Sequence, residues 1–147
     1  MLNILSSAFL LCSANLTNVV RTAQALTDML RQGIVTNIPY EMRGVVTGTW
    51  PGEEQAIVAQ DETGGFFLQN YGRTRPAIGD LIQASGHVLV LRNRSRWSYS
   101  GHVMILGRGE VPPAQRIALS DLRSGRYDWQ RIVVSGTVLN VLEDDVQ

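Results

Sequence analysis

Residues 92–99 (Arg-Asn-Arg-Ser-Arg-Trp-Ser-Tyr) hold the densest group of chemically active side chains in the sequence, three guanidinium groups followed by two aromatic rings. Guanidinium groups pair with phosphate or carboxylate, and aromatic rings stack on bases or sugars. A further tryptophan precedes a proline that breaks the first predicted strand. The pattern indicates a ligand-binding surface rather than a catalytic centre. The candidate ligand-binding residues are Trp50, Arg92, Arg94, Arg96, Trp97 and Tyr99.

The charge around this segment is strongly uneven. Residues 71–108 contain six arginines and a single acid, Asp80, although 13 basic and 13 acidic residues balance over the whole chain. Net neutrality argues against a protein that binds polyanions with its entire surface, but it allows a local basic patch. Three interpretations stay open. The loop is solvated or docks on an adjacent module of the same polypeptide, it contacts a small anionic or carbohydrate ligand, or it binds single-stranded nucleic acid.

Catalysis and metal binding are poorly supported. The acidic pairs at 53–54 and 61–62 both fall in predicted turns, where Asp is a common residue, and no nucleophile or base is fixed nearby by spacing. One cysteine excludes a disulfide framework and a cysteine-based zinc site. Two histidines, His87 and His102, are too few for a convincing metal site. We therefore predict a non-enzymatic chain with no metal and no cofactor.

From residue 40 onward the sequence alternates as β-strands do. Met42, Gly44, Val46 and Gly48 fall on one face of the first run. The predicted strands that follow cover 55–61, 65–71, 81–91 and 102–106, with a turn at 61–65 whose two glycines can take positive φ, a polar loop at 92–100, and Val103 and Ile105 facing inward. Five short strands separated by turns indicate a small barrel or sandwich.

Two short helical segments flank the predicted strands and resemble each other. Thr27 is a candidate cap for residues 28–32 before Gly33, and Ser120 for residues 121–123 before Gly125. The first helical segment matches the second at an offset of 93 residues, and residues 42–46 match 134–138 at an offset of 92. Residues 131–138 then alternate like a first strand. The repeat predicts that 113–147 form a linker helix and the start of a second, incomplete module. Either the chain is a fragment, or this strand pairs with the edge of the first module.

Three segments carry a resemblance to a known family: residues 42–47, residues 58–67 with their Gln-Asp-Glu-Thr-Gly-Gly turn, and residues 78–86. They resemble an OB-fold module, and most of all the OB-like modules in the extracytoplasmic part of bacterial two-component sensor histidine kinases. Residues 106–112 and 120–125 also fit that pattern.

The resemblance implies an all-β, five-stranded OB-fold-like barrel over 25–112, with a ligand face between the loop after strand one, which holds Trp50, and the loop after strand four. It implies a non-catalytic ligand-recognition or sensory module of a bacterial signalling protein. OB domains attached to secreted nucleases share the same turn. The alternatives are therefore a single-stranded nucleic-acid-binding module, such as a nuclease accessory domain, and a purely architectural spacer.

The amino end is apolar and uncharged over residues 1–12, and Cys12-Ser13-Ala14 places small residues where a signal peptidase cleaves. This pattern predicts a signal peptide ending near residue 14 and a periplasmic location. The alternative is a buried or frayed amino-terminal helix of a cytoplasmic protein. The run is too short to span a bilayer as a standard anchor helix, and no other apolar run is long enough, so we predict no membrane span.

Overall fold

The computed structural model describes residues 19–32, 38–50, 55–90 and 96–137; for residues 30, 89, 90 and 96–101 it describes the backbone only. The predicted signal peptide at 1–14 lies outside these ranges, and so do residues 92–95 of the predicted loop after strand four. Within the described ranges, no helix combines the length and the apolar character that crossing a membrane requires.

Five strands close into the predicted barrel. They are β1 (Ile38–Trp50), β2 (Gln55–Gln60), β3 (Gly65–Asn70), β4 (Asp80–Val90) and β5 (Arg96–Arg108). Neighbouring strands follow the order β1-β2-β3-β5-β4, and every pair is antiparallel except β3 and β5, which close the barrel in parallel. The β3–β5 pairing is short and joins Gln69 to Tyr99 and Asn70 to Ser100.

The core follows the alternation read from the sequence. Inward side chains on β1 are fully buried at every second position up to Val46, as predicted, and Phe66 and Leu68 share the inner face of β3. Burial of large apolar side chains supplies the main free energy for closing the barrel. The largest fully buried side chains are Tyr40, Phe66, Met42, Ile57, Leu68, Ile82, Val46, Val88 and Asn70.

A bulge in β1 corrects one predicted face. Val46 pairs with Ala59, but Gly48 pairs with Val58, so Thr47 is an extra residue on its strand. A single inserted residue reverses which face every later side chain occupies. Gly48 therefore does not continue the inner row. It lies on the outer face with Trp50, whose side chain is 55% exposed.

The fifth strand begins earlier than predicted. Residues 96–100 belong to β5 rather than to a loop, because β4 continues to pair with them as far as Arg96. Val103 is buried as predicted, but Ile105 is 43% exposed, which contradicts the prediction that it faces inward. The reason is that β3 pairs with β5 only at Tyr99 and Ser100. Around Ile105, β5 pairs with β4 but with no other described strand.

A helix covers one side of the barrel, but it begins earlier than predicted. Helix α1 (Ala23–Arg31) starts after Thr22, whose Oγ1 accepts a hydrogen bond from the Ala25 backbone nitrogen at 3.2 Å. Thr27, the predicted cap, lies inside the helix. Ala23 and Leu26 are buried against the barrel core, together with Val20 just before the helix.

After the barrel the chain forms β6 (Gln115–Arg116), a 3-10 helix (Leu119–Ser124) and β7 (Ile132–Val133). No side chain caps the 3-10 helix, so the prediction for Ser120 is wrong, whereas Gly125 ends it with φ of 67° as predicted. The predicted strand at 131–138 is a strand only at Ile132–Val133 among its described residues, because it pairs with β6 and not with the barrel.

The repeat in the sequence has a structural counterpart. Val20, before α1, donates a backbone hydrogen bond of 3.0 Å to the carbonyl of Pro39, and Gln115 donates one of 3.0 Å to the carbonyl of Arg131. In both places a residue before a short helix pairs in parallel with the first strand after it. The extension of this second unit into a full module stays a prediction.

Candidate functional site

The outer face of β1, β2 and β3 carries a row of residues that continues onto β5. Trp50 pairs with Ala56, Ala56 with Gln69, and Gln69 with Tyr99 on β5. The backbones of neighbouring strands lie about 4.8 Å apart, so the backbones of Trp50 and Tyr99 are about 14 Å apart along this row. The barrel thus places two predicted site residues, distant in sequence, on one lateral line.

A second row lies beside the first and is apolar. Gly48 pairs with Val58, and Val58 pairs with Phe67. The ring of Trp50 lies back over Gly48, since a Cβ built on that glycine would meet two ring atoms of Trp50 at 3.9 Å. Phe67 is covered by Trp129, whose ring stacks on it with centroids 4.8 Å apart and an angle of 28° between the planes. We call these two rows together the β1–β3 outer face.

Tyr71 extends this face beyond the end of β3. Its side chain is 49% exposed, and its hydroxyl donates a hydrogen bond of 3.2 Å to the Gln69 side-chain oxygen. The sequence prediction missed Tyr71 as a site residue. The signal was present, because Phe67, Gln69 and Tyr71 continue the same two-residue period outward.

The electrostatics of this region are positive. Arg73 and Arg75 are exposed on the connection that follows β3. The acid of the region, Asp80, is already paired with Arg108 at 2.7 Å. A hydrogen bond from the Ala77 backbone and the Arg108 guanidinium hold the pKa of Asp80 below its ordinary value. Its negative charge is therefore matched locally by Arg108.

The predicted basic segment divides into two parts. Arg92 and Arg94 lie outside the described residues. Arg96, Trp97 and Tyr99 lie on β5, opposite Val90, Leu89 and His87 of β4 in register. These three residues are thus held by a strand ladder and are not in a free loop, because β4 extends far enough to pair with them.

Acid–base and metal chemistry find little support in the described part of the chain. His87 and His102 are both exposed, and no group of three His, Cys, Asp or Glu side chains there could hold a metal ion. Asp61 was predicted to be a turn residue, and it is one, but it is not simply solvated. Its carboxylate accepts hydrogen bonds from the backbone nitrogens of Ala23, Thr63 and Gly64 at 2.7, 2.7 and 2.9 Å.

A cavity of about 810 Å³ lies beside this turn, away from the two rows. The Arg21–Glu41 ion pair of 3.0 Å lies in its wall, and Gln60, also in the wall, accepts the Arg131 backbone N–H at 2.8 Å. These polar groups, like Asp61, tie α1 and residues 126–131 to the barrel. The cavity is therefore explained by structural contacts, and the β1–β3 outer face remains the better candidate for binding.

Comparison with known proteins gives structural matches alone. No protein-family model matches the chain, and no curated protein matches it. The structure is similar to a presumed aspartyl-tRNA synthetase from Leishmania major Friedlin, with a TM-score of 0.47, 8% identity, and coverage of 76% of this chain and 24% of that one. It is also similar to aspartyl-tRNA synthetase from Entamoeba histolytica, with a TM-score of 0.43, 8% identity, and coverage of 72% and 27%.

The chain therefore spans about a quarter of the length of these proteins. The strand order, the parallel closure of β3 on β5 and the bent first strand are those of an OB-fold barrel. The barrel is OB-fold-like. In this fold the outer surface of strands two and three, with the loops after strands one and four, is the surface that binds oligonucleotides and oligosaccharides.

Proposed function

We propose that this chain is an OB-fold module that binds single-stranded nucleic acid across the β1–β3 outer face. The observation that carries the proposal is the pair of exposed rings, Trp50 and Tyr71, on one sheet face whose register continues through Gln69 to the backbone of Tyr99. Aromatic rings on an open sheet stack on successive bases whatever the sequence.

The charge distribution supports a polyanionic ligand. Arg73 and Arg75 are exposed next to Tyr71, and Arg96 begins the strand that holds Tyr99. Stacking rings with neighbouring guanidinium groups are the two components of sequence-tolerant binding of single strands. An oligosaccharide would use the rings, but it would have no need of a local positive excess.

The test is binding of a fluorescein-labelled 12-residue dT oligonucleotide, followed by fluorescence anisotropy at several salt concentrations. Binding should weaken as salt rises, because phosphate contacts release counterions. Trp50→Ala and Tyr71→Ala should each lose about 1–3 kcal/mol of binding free energy, the usual contribution of one base stacked on one ring.

The matched control is Leu119→Ala, which truncates a side chain that is 62% exposed on the 3-10 helix, outside both rows. It should bind like the unmodified protein. Absence of binding at low salt, with the protein folded by circular dichroism, would remove the proposal. Binding that is equally strong at low and high salt, and that a neutral oligosaccharide displaces, would favour the carbohydrate ligand.

The sensory function stays a prediction beside this proposal. What supports it is the repeated helix-and-strand unit after the barrel, since a second module follows directly in the sensor proteins that the sequence resembles. A sensor must also bind its ligand with different affinity in two arrangements of its modules. A small anionic ligand that changes how a longer chain unfolds or is cleaved, with no effect of the dT oligonucleotide, would support the sensor. A purely architectural spacer would bind neither.

A further inference from the structure

Phe67 is placed like a base-stacking residue, but its ring is covered by another part of the same chain. It lies on the outer face of β3, in register with Val58 on β2. Trp129 stacks on it at a centroid distance of 4.8 Å, which is the geometry of an aromatic pair or of a base on a ring. Trp129 is itself 40% exposed, so the pair lies at the surface.

The backbone of Trp129 is strained in this position. Its φ is 62°, and it is the one non-glycine residue with positive φ among those the structure describes. A bulky residue in this region is unfavourable, and such strain persists only where surrounding contacts hold it. The turn at residues 126–131 therefore keeps Trp129 on Phe67 at the expense of backbone free energy.

The turn at residues 126–131 is held on the β2–β3 hairpin by side-chain and loop contacts. Arg131 donates its backbone N–H to the Gln60 side-chain oxygen at 2.8 Å. The Trp129 carbonyl passes so close to Gly65 that a Cβ there would lie 2.1 Å from its oxygen. These contacts and the ring stack lie outside the ladder that pairs β2 with β3, so displacing the turn breaks no ladder hydrogen bond.

We infer that Trp129 is an intramolecular competitor for the nucleic acid, occupying the stacking position on Phe67 that a base takes when the turn at residues 126–131 is displaced. The inference rests on the proposed function and names a regulation of that same surface. In the covered state the ligand has the row from Trp50 to Tyr99; in the uncovered state it gains Phe67. Anything that draws residues 126–131 away from the hairpin raises the affinity.

The decisive variant is Trp129→Gly, because glycine adopts a φ of 62° without strain and removes only the competing ring. The dT oligonucleotide should bind this variant about fivefold or more tightly, the factor that corresponds to one stacked base. Phe67→Ala combined with Trp129→Gly should cancel the gain. Tyr127→Ala, in the same turn but outside the stack, is the control and should leave the affinity unchanged.

A second measurement reports the displacement itself. In protein labelled with 5-fluorotryptophan, the fluorine resonance of Trp129, assigned from its loss in Trp129→Gly, should move when the oligonucleotide is added. The inference would be overturned if the unmodified protein binds the oligonucleotide and Trp129→Gly binds it with the same or lower affinity. That result would leave the proposed function standing. Absence of binding by both proteins would instead overturn the proposed function.

Discussion

The carboxylate of Asp61 accepts a hydrogen bond from the backbone nitrogen of Ala23 at 2.7 Å, so a turn of the barrel caps the first turn of helix α1. Thr63 of the same turn accepts from the Gln24 nitrogen at 3.0 Å. The first backbone nitrogens of a helix have no partner within the helix, and here the β2–β3 turn supplies two. Helix and hairpin are therefore stabilised together.

Replacing Asp61 should destabilise the whole domain. Asp61→Ala removes acceptors for the helix and for the turn nitrogens of Thr63 and Gly64, and we expect a loss of about 1–3 kcal/mol in the free energy of unfolding. Urea denaturation followed by circular dichroism measures it. Glu62→Ala, exposed in the same turn, is the control and should change the stability by less than about 0.5 kcal/mol. Equal losses in the two variants would show that the cap is unimportant.

Two glycines of β1 should respond in opposite ways to alanine. A Cβ on Gly44 would lie 2.8 Å from the Gln60 carbonyl oxygen and 2.9 Å from a ring carbon of Phe66, whereas one on Gly48 would meet its neighbours at 3.8 Å or more. We expect Gly44→Ala to lower the unfolding free energy by about 1–3 kcal/mol through overpacking. Gly48→Ala should be neutral or slightly stabilising. Thermal unfolding of the two variants decides the matter; a stable Gly44→Ala protein would mean that β1 and β2 lie further apart.

The stability should depend on pH through Asp80. Its pKa is lower in the folded protein than in the unfolded chain, because the Ala77 backbone and Arg108 favour the ionised form. The stabilisation from this group is therefore complete above about pH 4–5 and is lost as pH falls through the folded pKa. Asp80→Asn should be less stable than the unmodified protein at pH 7, and the difference should shrink by pH 2.

Urea unfolding at a series of pH values measures this effect. Asp121→Asn, which changes an exposed carboxylate on the 3-10 helix, provides the control for loss of one negative charge. If the Asp80→Asn difference is the same at both ends of the pH series, the carboxylate is not stabilised by these two donors.

Arg73 should contribute to nucleic-acid affinity as a phosphate contact. Arg73→Gln should reduce the slope of log affinity against log salt by about 0.7, the value expected for one phosphate contact on a single strand. Arg123→Gln, which neutralises an exposed arginine at the end of the 3-10 helix, should leave the slope unchanged. Equal slopes for all three proteins would place the phosphate contacts elsewhere on the surface.

Much of the barrel could be predicted because its evidence is local. The two-residue alternation from Tyr40 to Val46 and the turn at Asp61 predict β1 and the β2–β3 hairpin, and both are confirmed. The bulge at Thr47 could not be predicted, because it arises from the requirements of barrel closure and leaves no composition signal. It decides that Trp50 points outward.

The site was predicted only in part, for a related reason. The ladder that holds Trp97 and Tyr99 depends on how far β4 extends, and the outward position of Tyr71 depends on where β3 ends. The contact between Phe67 and Trp129 joins residues 62 positions apart and has no periodic signature at all. Long-range contacts of this kind are visible only after the chain has folded.

The two copies of the repeated unit bury their matching leucines to different extents. Leu26 of the first copy is 6% exposed, whereas Leu119, at the same place in the second, is 62% exposed. Backbone pairing around each helix is alike, and backbone hydrogen bonds tolerate many side chains. We therefore expect substitutions to be unfavourable at Leu26 and tolerated at Leu119. If the two copies descend from one ancestor, their similarity would persist longest in the backbone pairing, after the side chains of the helices have diverged.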